Sequence, residues 1–255
     1  MKNKYPIYIP SKQRDNHCLT AKELGFYNID YKIVVEPQDY KLYGAVYSEK
    51  NLLLLDKNDM GLGYSRAFIK KYAEKNNEKY HWQMDDDLLF YKRVNNKNIK
   101  FSIEKMIEEI ESFVDCYSNI GIAALRNMVF AFSLKNELSL NNQCCSCFLV
   151  KSNMKSQYAM DIIEDTDFSM QVLTEGFCTV IFNKLLYKNP PVNANKGGCS
   201  DGNQYDRVAE FHSNLVGKWP NAFNIGLTKD GKSTRIKPSR VWSGFKTKLI
   251  PNGKF

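Results

Sequence analysis

His81-Trp82-Gln83-Met84-Asp85-Asp86-Asp87-Leu88-Leu89-Phe90 decides the reading of this chain. His81–Met84 has the aromatic and apolar character of a buried strand, and it runs straight into three adjacent carboxylates. Apolar residues resume at once after them. Neighbouring negative charges between apolar runs repel one another and call for a positive compensator. A hard divalent cation meets that need. Mg²⁺ and Mn²⁺ take oxygen ligands and are commonly held by one or two carboxylates plus a substrate's phosphates. Alternate side chains at a strand end point the same way, so Asp85 and Asp87 are expected to share one metal or one ligand while Asp86 turns elsewhere. An exposed acidic turn is the competing reading.

Outward from this stretch, short apolar runs alternate with helical patterns. Ile7–Ile9, ended by Pro10, reads as a first strand, Lys32–Val35 as a second and Leu52–Leu55 as a third. Helices are expected over Thr20–Leu24 and Tyr64–Asn76. The clearest helix is Ile103–Tyr117, where Ile103, Met106, Ile107, Ile110, Phe113 and Val114 recur at helical spacing behind a Ser102 cap. Ile120–Ala124, Met128–Leu134, Phe148–Val150 and Thr179–Phe182 read as further strands, with a helix over Phe168–Thr174. This alternation predicts an α/β domain, a mostly parallel central sheet flanked by helices. Ligands then sit beyond the carboxyl ends of the strands. Four polar clusters fall there: Pro10-Ser11-Lys12, Glu36-Pro37-Gln38, Asp85-Asp86-Asp87 and Glu164-Asp165.

The expected division is a core over residues 1–190 and a loop-rich, basic C-terminal extension over 191–255, with one helix from Gln204 to Lys218. The extension has too few apolar residues for a core of its own. From Ser213 to Phe255 there are nine Lys or Arg and one acid, Asp230, so the whole net charge of +8 resides there. Trp219, Phe223, Trp242 and Phe245 are interleaved with the cations. Such a mixture suits a polyanion such as nucleic acid; a solvated lysine-rich surface is the plainer reading. Lys218-Trp219-Pro220 and the tail beyond are the expected DNA contacts. Asn195–Gly202 reads equally as a lid, an acceptor-gripping loop or a plain surface loop.

The seven cysteines are odd in number and irregularly spaced, which predicts free thiols in a reducing cytoplasm. Cys144-Cys145-Ser146-Cys147 lacks a second paired cluster and reads as a strand entering the core rather than a zinc site. No apolar run approaches the ~20 residues of a membrane span, and Met1–Pro10 predicts no signal peptide. No membrane association and no obligate protein partner are expected. A P-loop and the kinase signatures are absent from the sequence. Nucleotide-sugar transfer and two-metal nuclease chemistry are the classes left by a phosphate-directed metal site.

Tyr8-Ile9-Pro10-Ser11-Lys12-x-Arg14, Val34-Val35-Glu36-Pro37-Gln38, Gly61-x-Gly63-x-Ser65-Arg66 and Trp82–Asp87 together resemble GT-A-fold glycosyltransferases. Glu164-Asp165-Thr166-Asp167-Phe168 with Gly176 is similar to the acidic motif after the acceptor region in that class. Within it, the pattern resembles the phage TET-associated DNA glycosyltransferases. The resemblance spans about Ile7 to Phe182. It implies a metal-dependent transfer of a hexose or pentose from a nucleotide-sugar, a UDP-sugar by analogy, to the hydroxyl of 5-hydroxymethylcytosine in bacteriophage DNA. The setting would be the cytoplasm of the bacterial host. A glycan, lipid or protein acceptor, or a non-catalytic nucleic-acid-binding role, stands as an alternative.

The resemblance implies roles as well. Pro10, Ser11, Arg14 and Glu36 would meet the nucleotide. Arg66, at a helix start, would face the pyrophosphate, where helix N–H groups also favour anions. Asp85 and Asp86 belong to this donor-binding set. Asp85 and Asp87, with His212 as the C-terminal ligand, would hold Mn²⁺ or Mg²⁺. In an inverting reaction Asp165 or Glu164 would act as the base, with Asp167 capping the helix; a retaining reaction would need no such base. A lone helical histidine is also an ordinary structural residue, and Glu164-Asp165 would serve equally as a helix cap.

Overall fold

The computed structural model describes residues 3–132, 134–159, 161–190, 204–229, 231–238 and 241–253. The expected loop Asn195–Gly202, with Asp230, Arg240 and Lys254, lies outside them.

In chain order the elements are β1 (Ile7–Pro10), α1 (Leu19–Phe26), β2 (Lys32–Val35), α2 (Tyr40–Gly44), β3 (Leu52–Leu54), α3 (Leu62–Lys75), β4 (Tyr80–Met84), β5 (Leu89–Val94) and β6 (Lys97–Lys100). Next come α4 (Ile103–Asp115), β7 (Ile120–Asn127), β8 (Leu138–Leu140), β9 (Cys147–Lys151), α5 (Glu164–Thr174) and β10 (Cys178–Lys188). The C-terminal region supplies α6 (Gln204–Lys218), β11 (Phe223–Leu227), β12 (Thr234–Pro238) and α7 (Val241–Gly244).

The large sheet runs β3-β2-β1-β4-β9-β7-β10-β5-β6, with β8 beside β10. Strands β1, β2, β3, β4, β6, β7 and β10 point one way, and β5, β8 and β9 the other. The sheet is therefore mostly parallel, as expected, but β9 enters antiparallel between β4 and β7. Strand β4 is buried along its whole length, which is why its sequence alternates so little. Helix α4 lays Met106, Ile107, Ile110 and Val114 onto one sheet face, in the core with Trp82, Leu149 and Val180. On the other face, α5 packs Phe168 and Val172 against Ile122, Phe148 and Val150.

Met128–Leu134 is not a strand. Asn127 caps a single 3-10 turn, Met128–Phe130, by accepting a bond from the Val129 N–H at 3.0 Å, and Val129, Phe130, Phe132 and Leu134 are exposed. Asp167 does not cap α5 either; Ile163 occupies that position, and Asp167 is fully buried in contact with α6. The hairpins β5–β6 and β11–β12 are additional structure.

The C-terminal region is packed against the core rather than trailing from it. Leu215, Ala222 and Phe223 cluster with Ile162 and Met170, and Trp219, Trp242 and Phe245 flank them. Beyond α7 the chain returns to the edge of the core. The Asn119 side chain donates to the Lys248 carbonyl and accepts from the Ile250 N–H, both at 2.8 Å. The basic tail therefore has a structural task of its own.

Candidate active site

The carboxyl ends of β1, β2 and β4 open into a cleft of about 580 Å³. Pro10, Ser11, Lys12 and Arg14 line it from β1, Glu36 from β2, and Asp85, Asp86 and Asp87 from β4. The start of α3 contributes Gly61, Gly63 and Ser65, α5 contributes Glu164, and α6 covers the opening with Arg207, Val208 and Phe211. Gly61 has φ +82°, a conformation that glycine adopts without strain, and this lets the chain turn into α3 with its first N–H groups toward the cleft.

The acidic triplet is divided between two arginines. The Arg14 guanidinium donates to Asp86 at 2.7 Å and to Asp87 at 3.1 Å, and Ser11 Oγ donates to the other Asp86 oxygen. Arg66 donates to Asp85 at 2.8 Å and reaches Glu164 at 3.4 Å. So Asp86 and Asp87 share Arg14, while Asp85 pairs with Arg66. Asp87 also accepts from Asn189, at the end of β10, at 3.1 Å.

Arg66 does not line the cleft. It is 1% exposed, stacks its guanidinium 4.9 Å over the Phe148 ring, and donates to the Gln83 carbonyl. Gln83 in turn meets His81 Nε2, whose Nδ1 meets Ser152 Oγ at 2.8 Å. Burial, aided by Lys70, drives His81 down to about 3, so its ring is neutral. Arg66 is held in this buried chain as a support for Asp85 and Glu164. A position at a helix start signals its charge but not its depth.

Glu36 is 6% exposed. Its two oxygens accept from the Asp59 N–H at 3.0 Å and from Gln38 at 2.6 Å, so it shapes the loop it faces as well as lining the cleft. Of the two candidate bases, Glu164 lines the cleft. Asp165 lies beneath, accepting from the Thr166 N–H at 2.6 Å and from Gln143 at 3.3 Å. His212 engages Thr234 of β12 at 2.6 Å, and burial lowers its pKa. The cleft-lining Asp59, Asn189 and Arg207 are residues that sequence reasoning passed over; for Arg207 its place on the expected helix Gln204–Lys218 is the mark it left.

Burial dominates the electrostatics. It pushes Asp86 up to about 6 against the opposing pull of Arg14. It pushes Glu164 up to about 7, helped by repulsion from Asp165 and opposed by Arg66. Asp85 is raised too, by burial first and by Asp87 among the lesser causes. Arg14 and Arg66 thus leave the carboxylates short of positive charge. Among the described residues, no three His, Cys, Asp or Glu side chains form a ready-made metal cage. The unmet charge nevertheless fits a divalent cation held by one or two carboxylates and completed by a donor's phosphates.

A mostly parallel sheet whose polar strand-end loops and acidic β4 end gather in one cleft is a GT-A-like arrangement. The chain belongs to the TET-Associated Glycosyltransferase family, whose model matches residues 5–198, and it is therefore a glycosyltransferase. No curated protein matches the chain. Among the described residues, no helix is long and apolar enough to cross a membrane.

Proposed function

We propose that this glycosyltransferase moves a sugar from a UDP-sugar to the hydroxymethyl oxygen of 5-hydroxymethylcytosine in DNA. The acceptor class follows from the family, whose members are implied to act on modified DNA bases. The observation that carries the chemistry is the gathering of Ser11, Arg14, Glu36, Asp85, Asp87 and Glu164 around one cleft.

Glu36 and the β1 loop supply acceptors and donors for the nucleoside. The N-terminal N–H groups of α3 and the Arg207 guanidinium offer positive potential to the diphosphate. Asp85 and Asp87 would hold Mn²⁺ or Mg²⁺, which supplies positive charge to the departing diphosphate when bound. Glu164 takes the proton from the acceptor hydroxyl as that oxygen attacks the anomeric carbon. Its raised pKa suits the role, since a base works best when its pKa lies near the ambient pH. Arg66 keeps Glu164 and Asp85 aimed at the cleft.

The test is incubation of the protein with hydroxymethylcytosine DNA, a panel of nucleotide-sugars and Mn²⁺, followed by mass spectrometry of the digested nucleosides. A hexose or pentose mass on hydroxymethylcytosine is the expected result. Transfer to glycans, lipids or proteins with none to DNA rejects the acceptor assignment. DNA strand cleavage without transfer rejects the reaction.

A further inference from the structure

The turn after β7 carries a run of apolar side chains held in water. Val129, Phe130 and Phe132 are 68%, 64% and 67% exposed, whereas Ala131 between the two phenylalanines is fully buried. The turn is a built one: Asn127 accepts from the Val129 N–H, and the Ala131 N–H returns to the Met128 carbonyl at 3.3 Å. Large side chains presented in this way, on a pinned backbone, mark an interaction surface.

Its position follows from strand register. Asn127, the last residue of β7, pairs with Tyr187 of β10, which on its other edge pairs with Phe90 of β5. Leu89, one residue earlier, pairs with Lys188, and Asn189 then bonds Asp87. Strands are about 4.8 Å apart, so the turn leaves the sheet at the acidic end, about 10 Å across it from the start of β5.

The surrounding charge is mainly positive, although Glu137, just after the turn, is an acid engaged by Lys184. The hairpin from Leu89 to Lys100 contains Lys92, Arg93, Lys97 and Lys100 and no acid, and residues 126–135 contain Arg126 and Lys135 and no acid. Glu109 and Glu23 engage Lys92 and Lys100. Among the described residues, no carboxylate pairs with Arg93, Lys97 or Lys135. Arg93 stands 5.2 Å over the Phe132 ring, so a cation and an exposed aromatic face form one unit. Exposed rings for bases, with an excess of cations for phosphates, suit a nucleic-acid surface.

We propose that Val129, Phe130 and Phe132 form the wedge by which this chain engages its DNA acceptor, the rings contacting bases while Arg93, Lys97 and Lys135 meet phosphates. A wedge of this kind fills the space left when a base leaves the stack for an active site. The proposal rests on the DNA-acceptor reading and replaces the C-terminal tail as the principal contact.

Fluorescence anisotropy with a duplex carrying one 5-hydroxymethylcytosine tests it. The Phe130→Ser/Phe132→Ser variant should bind about tenfold or more weakly than the unaltered chain, with unchanged thermal unfolding because the side chains are exposed. Phe130→Tyr/Phe132→Tyr should restore binding through stacking. Lys97→Glu/Lys135→Glu should also weaken binding and flatten its salt dependence; it reads the surface independently if the serine variant misfolds. Equal DNA affinity of the serine variant and the unaltered chain overturns the wedge and leaves the acceptor reading intact. An unaltered chain that transfers sugar to another acceptor but binds no DNA overturns both. Ring-dependent binding to phosphatidylglycerol vesicles, with DNA binding unchanged, would assign the surface to lipid and overturn the proposal.

Discussion

The floor of the cleft and the C-terminal wall that covers it carry opposite imbalances of charge. In the floor, Asp85, Asp86, Asp87 and Glu164 share Arg14 and Arg66, and burial raises the pKa of Asp85, Asp86 and Glu164. In the wall, the chain from Ser213 onward has nine cations and one acid, and it is fastened through a carboxylate it does not own. Asp167 of α5, fully buried, accepts from Lys218 and from Trp219 Nε1, each at 2.8 Å. The floor is electrostatically incomplete. The wall is complete in its packing and adds Arg207 to the opening. A ligand bearing phosphates and a cation would satisfy the first region.

The sharpest break of this comparison is Glu164→Gln. The change keeps shape and removes the proton acceptor, so transfer should fall by about 10²–10⁴-fold with donor binding retained. In the unaltered enzyme, kcat should rise as pH passes through about 7, where Glu164 loses its proton, and the variant should lack that limb. A pH–rate profile with the same limb in both proteins removes Glu164 from the role. Next in size is Arg66→Ala. It leaves Asp85 and Glu164 without their shared buried cation, and breaking such a pair costs about 3–5 kcal/mol. Thermal unfolding should fall strongly, with partial recovery in Arg66→Lys. An unchanged melting temperature contradicts the support role.

The β4 strand and its triplet were legible because an apolar run flanks three adjacent acids on both sides, which an exposed acidic turn rarely has. Strands β1 and β2 were legible as local apolar runs. The division of the triplet between Arg14 and Arg66 was not, since residues 14, 66 and 85 meet only through β1, α3 and β4. Hairpin β5–β6 left a signal that passed unread: Asn95 and Asn96 have φ of 47° and 63°, the paired left-handed conformation that Asn-rich hairpin turns adopt. Met128–Leu134 misled for a different reason. Its apolar residues promised a strand, yet most of them face water, and a local rule that fails in this way points to a surface kept for a partner. The basic tail was visible as charge. Its hydrogen bonds to Asn119 join residues about 130 apart in the chain and leave no local trace.

A pH series sharpens the contrast between the regions. Asp86 is raised to about 6 by burial, above the ordinary carboxylate range. The folded chain therefore binds more protons than the unfolded chain between about pH 4 and 6. Stability from this group is present at low pH and is lost as pH rises through that window, by on the order of 1–3 kcal/mol. Denaturant unfolding at about pH 4.5, inside the window, and about pH 7.5, above it, should show the cleft contribution larger at the acidic value. Asp86→Asn should flatten the difference, and Mn²⁺ with a nucleoside diphosphate should shrink it. An Asp86→Asn profile that parallels the unaltered one refutes the assignment.

The smallest expected change tests the wall itself. Asp167→Ala removes the acceptor of the Trp219 N–H and of Lys218. Lys218 is 42% exposed and turns to water at little cost, whereas the indole N–H is left facing a gap. The loss is that of a buried hydrogen-bonding group, about 1–3 kcal/mol. Its functional effect should exceed its effect on stability, because α6 carries Arg207, Val208 and Phe211 into the cleft. Loosening the end of α6 should raise KM for the nucleotide-sugar while kcat at saturating donor stays within a fewfold of the unaltered value. A fall in kcat with KM unchanged would mean that Asp167 serves the floor rather than the wall, and the two regions would then be one.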